Sequence, residues 1–163
     1  MTVASTAAAL GLALSRDQRL RLERYLALVE EWRPRVQLTG AGAAETASVL
    51  IAGALCLLPF VPDAGRLVDL GSGAGVPGIP LAVMRPRLHI VLADAARKKA
   101  AFLEIAARDL ALDNVDVAQA RAEDLGRDPA HRGRYDTVTA RALAPARVTV
   151  EYALPLLRLG GEA

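Results

Sequence analysis

The chain has 163 residues, enough for one domain that buries a continuous core on both faces of a small sheet. Hydrophobic residues make up 53% of it and aromatics only 4%, so the core is expected from Ala, Leu and Val, which suit close packing of helix on sheet. Lys and Arg number 20 against 18 Asp and Glu; a net charge of +2 excludes the bulk electrostatic signature of a nucleic-acid binder and confines any such surface to a local patch.

The apolar start, residues 7–14, follows no basic residue and is interrupted by Ser15-Arg16-Asp17, so neither a signal peptide nor a membrane span is expected. Residues 17–32 place Leu20, Leu22, Leu26, Leu28, Val29 and Trp32 mostly at helical spacing, with Arg and Glu on the other face. Ser15 is the expected N-cap, Gln18 its capping-box partner and Pro34 the stop. Residues 40–44 read as a small-residue loop and residues 45–58 as a second, nearly all-apolar helix ending before Pro59. The single cysteine, Cys56, lies in that apolar run; it excludes an intrachain disulfide and reads as a buried, inert thiol in a reducing cytoplasm.

Beyond Pro62 and Gly65, short apolar runs alternate with longer helical ones, the pattern of a parallel sheet with crossover helices. The expected strands are residues 66–70, 88–93, 115–119 and 135–140; the expected helices are 78–84, 97–110 and 145–157, with a polar loop at 126–134. The chain thus reads as a single α/β domain over 1–163, with a helical amino-terminal cap (1–60) and a Rossmann-like core (65–163). It finishes on Leu159-Gly160-Gly161-Glu162-Ala163, a turn that would ordinarily feed another strand, so the sheet is expected to stop at its fourth strand with an unpaired edge.

The candidate chemistry sits around Val68-Asp69-Leu70-Gly71-Ser72-Gly73-Ala74-Gly75, between an apolar strand and a helix. Glycines there let the backbone turn at positive φ and let a ligand approach closer than a Cβ would permit. An ordinary glycine-rich turn is the bland alternative. Asp69, just before the first glycine, would repel a pyrophosphate but favour a cationic methionine moiety, which points away from a nicotinamide dinucleotide. Asp94, about 20 residues on and closing the next strand, can accept hydrogen bonds from both hydroxyls of a ribose. The pair specifies an adenosine ligand with a positively charged far end. Val76-Pro77 opens the following helix, where a proline's missing amide hydrogen costs nothing. Arg121-Ala122-Glu123-Asp124 follows the third strand at the edge where open α/β sheets bind ligands, and Arg141 ends the fourth strand on the same edge. For Glu123 a solvated loop acid, and for Arg141 an edge salt bridge, are the bland alternatives. His89 and His131 have no metal-ligand spacing, so no metal is expected. The Arg-rich stretches 16–24 and 127–134 read as solvated faces before RNA contacts.

The run of residues 68–81, with Arg85-Pro86, Asp94, Lys98-Lys99, Phe102-Leu103, Arg121-Ala122-Glu123 and Ala140-Arg141-Ala142, resembles the 16S rRNA (guanine-N7) methyltransferase family, also called glucose-inhibited division protein B. The segment Gly75-Val76-Pro77-Gly78-Ile79-Pro80-Leu81 is far more specific than a generic glycine loop, and the resemblance extends over about residues 20–161. It implies a Rossmann-like methyltransferase fold that uses S-adenosyl-L-methionine, with 16S rRNA or the small ribosomal subunit as partner, as a cytoplasmic monomer with no membrane attachment. It implies that Gly71 and Val76, with Asp69, Gly73 and Gly75 around them, meet the methionine part. Asp94, Ala95 and Ala96 would meet the ribose, Ala122 and Glu123 the adenine; Arg141 would stand at the shared edge of cofactor and substrate. Trp32 and Leu38-Thr39 match as well, with Gln37 where the family has Asn. Two departures stand out: residues 48–55 lack the family's Arg-His and Asp-Ser pairs, and the family's final antiparallel strand pair and Lys-Gly segment have no counterpart. No catalytic base is assigned, since guanine N7 carries a lone pair and no proton; catalysis would rest on positioning, in which Arg141 can take part. A cofactor-binding remnant of low activity, a nicotinamide oxidoreductase and a non-enzymatic RNA-binding module are the alternatives.

Overall fold

A computed structural model describes residues 2–38 and 48–163. The expected loop at 40–44 and the first residues of the expected second helix lie outside the described residues. Two helices open the chain, α1 (Val3–Ala9) and α2 (Arg16–Trp32), each closed by a full capping box. In α2 the Ser15 hydroxyl accepts from the Gln18 amide at 3.1 Å while the Gln18 side chain accepts from the Ser15 amide at 2.9 Å, so two otherwise orphaned donors are satisfied. The buried stripe of α2 is Leu22, Tyr25, Leu28 and Val29. Leu20, placed on that stripe by sequence spacing, is instead 48% exposed, and Tyr25 takes a place on it because its hydroxyl finds a buried acceptor.

The expected second helix does not run unbroken to residue 58. A π-helical turn, Ser48–Ala52, passes into the short α3 (Gly53–Leu55), and a 3-10 turn covers Leu58–Phe60. Cys56 lies just past α3 and is exposed, not buried as expected, because the helix ends one residue earlier and the chain turns outward there.

The core is a five-stranded, wholly parallel sheet in the order β3-β2-β1-β4-β5. Its strands are β1 (Ala64–Leu70), β2 (Arg87–Ala93), β3 (Val115–Ala118), β4 (Tyr135–Ala140) and β5 (Leu157–Glu162). Four helices link them: α4 (Gly78–Met84), α5 (Arg97–Asp109), α6 (Ala122–Leu125) and α7 (Ala146–Ala153). Side chains alternate across the central strands as the period of two requires. Leu67, Leu88, Ile90 and Leu92 join the core beneath α2, α4 and α5, whereas Val68, Leu70, Val91 and Ala93 join Tyr135, Val138, Ala153 and Leu156 on the other face. Trp32 and Phe102, with ring centroids 5.8 Å apart, fasten α2 to α5.

The fifth strand corrects the expectation that the sheet stops at the fourth. The apolar stretch taken as one helix over 145–157 ends at Ala153, because Pro155 has no amide to continue it. The chain then pairs alongside β4, from Tyr135 against Leu157 to Thr137 against Glu162, with a register shift between. The edge of β4 is therefore covered. Among the described residues no helix is long and apolar enough to cross a membrane.

Candidate functional site

β1, β2 and β4 all run parallel from β1's central position, so their carboxyl ends open on one edge, and the strand order reverses beside β1. Ligands of open α/β sheets bind at such a switch point. A cleft of ≈ 380 Å³ lies there, and Gly71, Asp94, Ala95, Lys99, Ala122, Glu123, Leu143 and Tyr152 are among its walls. That volume is within the range of about 300–1,000 Å³ typical of small-molecule sites.

The glycine loop is built by backbone demands. Gly71, Gly73 and Gly75 have φ of 67°, 57° and 87°, values that side-chain-bearing residues rarely adopt. A Cβ on Gly71 would lie 2.7 Å from Leu143 Cδ1, so a side chain there would displace Leu143 besides straining the backbone. Beneath the loop the buried Tyr25 hydroxyl donates to the Ala74 carbonyl at 2.8 Å.

Asp94 is 7% exposed and braces the site from both sides. Its Oδ2 accepts from the Gly73 amide and its Oδ1 from the Ala96 amide, both at 2.9 Å. Each carboxylate oxygen accepts two hydrogen bonds, so each keeps one lone pair for a ligand hydroxyl. The residue thus couples the glycine loop to the start of α5 and still presents a bidentate acceptor in the cleft.

Asp69 is fully buried and does not line the cleft. Its Oδ1 accepts from the Thr139 hydroxyl at 2.9 Å and its Oδ2 from the Gly78 amide at 3.3 Å, tying β1 to β4 and to the first turn of α4. Burial pushes its carboxyl up to about 6, against the opposing pull of hydrogen bonds from Thr139, Ser72 and Gly78 and of the Arg141 charge.

At the far end of the cleft, Glu123 sits in the first turn of α6, and its hydroxyl partner is Tyr152 on α7. Its own backbone amide first, then Tyr152 and the Arg121 and Arg127 charges, hold its carboxyl below the usual range, while the bond to Glu123 raises the Tyr152 phenol. The sequence reading missed Tyr152, Leu143 and Lys99 as cleft residues. Lys99 had a signal, being in the first turn of the helix after Asp94; Tyr152 had none, since its place depends on α7 folding back against α6.

Of the residues singled out from sequence, Gly71, Asp94, Ala95, Ala122 and Glu123 meet in the cleft. Gly73, Gly75 and the buried Val76 form the support under it, and Ala96 faces a neighbouring groove. Arg141 is exposed beyond β4, where a Cβ on Gly53 would lie 3.9 Å from its Nη1, and it enters no ion pair among the described residues. Ala142 next to it takes φ 53°, a left-handed turn that points the chain away from the strand. His89 contacts Asp116 at 3.1 Å and His131 stacks on Tyr135; among the described residues no three potential metal ligands gather.

Both the sequence and the fold have counterparts among known proteins. A family described as GidB, rRNA small subunit methyltransferase G, matches residues 18–163. The chain belongs to this family. A member from Roseiflexus castenholzii, named ribosomal RNA small subunit methyltransferase G, is 45% identical over 153 residues, covering 93% of this chain and 65% of its own length. One of the same name from Rubrobacter xylanophilus is 45% identical over 157 residues, covering 94% of this chain and 59% of its own length. The chain therefore spans about two thirds or less of these relatives. Among solved structures, coclaurine N-methyltransferase bound to N-methylheliamine and SAH superposes with a TM-score of 0.63 at 15% identity, over 85% of this chain and 42% of that one. Precorrin-6y C5,15-methyltransferase from Geobacter metallireducens gives 0.57 at 18%, over 77% and 65%. At such identities these two establish the fold alone: a Rossmann-like α/β sheet.

Proposed function

We propose that the chain binds S-adenosyl-L-methionine in the β1–β2–β4 cleft and methylates N7 of a guanine in 16S rRNA, acting as a monomer on the small subunit or its RNA in the cytoplasm. The observation that carries this reading is Asp94: a carboxylate fixed by two backbone amides, with one lone pair left on each oxygen, in a cleft of a chain belonging to the rRNA methyltransferase family. When bound, the cofactor supplies a methyl group on a sulfonium; guanine N7 offers it a lone pair, the carbon–sulfur pair stays on sulfur, and no proton has to leave.

The protein's part is to bind, orient and exclude. Asp94 would accept hydrogen bonds from the two ribose hydroxyls, and the small residues Gly71 and Ala95 would leave room for the ligand. Ala122 and Glu123 receive the adenine, with Tyr152 holding the Glu123 carboxylate in place. Gly71 would hold the methionine end, on the loop that Val76, Gly73 and Gly75 support. Asp69 serves this end from below, by fixing Thr139 and the first turn of α4. Arg141, exposed just past β4 and in no ion pair among the described residues, would meet the incoming base.

Small subunits from cells lacking the N7 modification, incubated with the protein and methyl-labelled cofactor, should gain one N7-methylguanine by mass spectrometry of digested 16S rRNA. No transfer, with the demethylated cofactor still bound in calorimetry, would reduce the chain to a binding remnant. Asp94→Ala should weaken binding of that demethylated cofactor by about 30- to 150-fold, the loss of about 2–3 kcal/mol from two charge-assisted hydrogen bonds. An unchanged Kd would mean that the ribose lies elsewhere.

A further inference from the structure

The molecule is nearly neutral, and several of its guanidinium groups outside the cleft are already matched to carboxylates. Arg19 pairs with Glu23, Arg21 with Asp17, Arg24 with Glu31 and Asp109, Arg85 with Asp63 and Arg158 with Asp136. One groove escapes this pattern. A depression of ≈ 640 Å³ between the segment after α2 and the first turn of α5 is lined by Arg35, Arg97, Lys98 and Lys99 and, among the described residues, by no carboxylate. None of the four enters an ion pair among the described residues; Arg35 lies over the Trp32 ring, 5.7 Å from its centroid, which sets its direction without neutralising it. No side chain caps α5, a helix of 13 residues, so its positive end adds to the field. Lys99 also lines the cleft, and Ala96, at the mouth of the groove, gives its amide to Asp94. Groove and cleft thus meet at Lys99, which lines both.

We infer that this groove carries the phosphodiester backbone of the RNA strand flanking the target base, with Arg35, Arg97 and Lys98 as phosphate contacts and Lys99 at the junction with the cleft. This rests on the rRNA reading of the cleft. A phosphate track ending at the cleft fixes how the strand enters, so that a base turned out of it reaches the methyl-transfer position. Exposed cations of this kind supply affinity and register, not base specificity.

The test measures binding of a fluorescent 12-nucleotide single-stranded RNA of 16S sequence to the full chain over a range of salt. The double variant Arg97→Gln/Lys98→Gln is compared with Arg87→Gln/Arg134→Gln, which loses the same charge at the amino ends of β2 and β4, the opposite edge of the sheet. Neutralising two phosphate contacts should weaken binding roughly 10- to 30-fold at 0.1 M salt and flatten the log–log salt slope by about 1.4. The opposite-edge variant should change Kd less than about twofold, and both should bind the demethylated cofactor like the parent. Equal losses in the two variants, or RNA binding that neither affects, would overturn the groove. So would a parent that binds no RNA. RNA binding through the groove without methyl transfer would leave it standing and refute the rRNA methylation instead.

Discussion

At the scale of single residues, the two buried acids of the glycine region do different work, Asp69 from within β1 and Asp94 from just past the end of neighbouring β2. Asp94 accepts two backbone amides and faces the cleft; Asp69 is enclosed, and desolvation dominates it. The sign of its effect on stability follows. With a carboxyl at about 6 in the folded protein against about 3.9 in an unfolded chain, the folded state holds its proton longer. This group's contribution is therefore most favourable below about pH 4, declines as pH rises toward 6 and is flat above, a loss of about 3 kcal/mol. Asp109 and Asp136, whose carboxyls are held low by Arg24 and by the Arg66 amide respectively, give the opposite slope, so the effect is read as a difference. Urea unfolding of the parent and of Asp69→Asn between pH 4 and 7.5 should show the variant gaining on the parent as pH rises. A parent that gains relative to the variant would mean that the Thr139 and Gly78 bonds and the Arg141 charge outweigh burial.

At the scale of elements, α2 and the α7–β5 unit show how much local rules decide. The Ser15–Gln18 box was readable from four residues, because a capping box is a local exchange of hydrogen bonds. Ser15→Ala should cost about 1 kcal/mol, or roughly 2–4 °C in Tm, because the Gln18 amide loses its acceptor. Differential scanning calorimetry measures this, and an unchanged Tm would show α2 held by its buried face alone. The last segment behaved otherwise. Residues 159–163 contain two glycines and read as a turn after a helix ending at 157, yet residues 157–162 form β5, since the open edge of β4 offers partners for their backbone groups. Leu159 is 99% exposed on it, so no apolar periodicity announced the strand.

At the scale of the whole molecule, the site is a junction of separately packed parts. The face under α2, α4 and α5 and the face under α6 and α7 each hold their own apolar cluster, and the cleft draws walls from both. A ligand bridging them should stabilise the fold as one unit. Demethylated cofactor at about 100 times its Kd should add about 2.7 kcal/mol, raising Tm by roughly 5–11 °C in a single transition. A rise confined to one of two resolved transitions would show that the faces unfold independently.

The sequence by itself determined the positions of the first four strands, the positive-φ glycines, the bracing acid Asp94 and the family, because alternating apolar runs, turn chemistry and motif spacing are short-range properties. It did not reveal the inner role of Asp69, the Glu123–Tyr152 pair, the exposure of Cys56 or the pairing of β5. Each of these depends on which segment lies alongside which. Only the packed sheet decides that Thr139 stands next to Asp69, that α7 returns over α6, and that Lys99 faces two hollows at once.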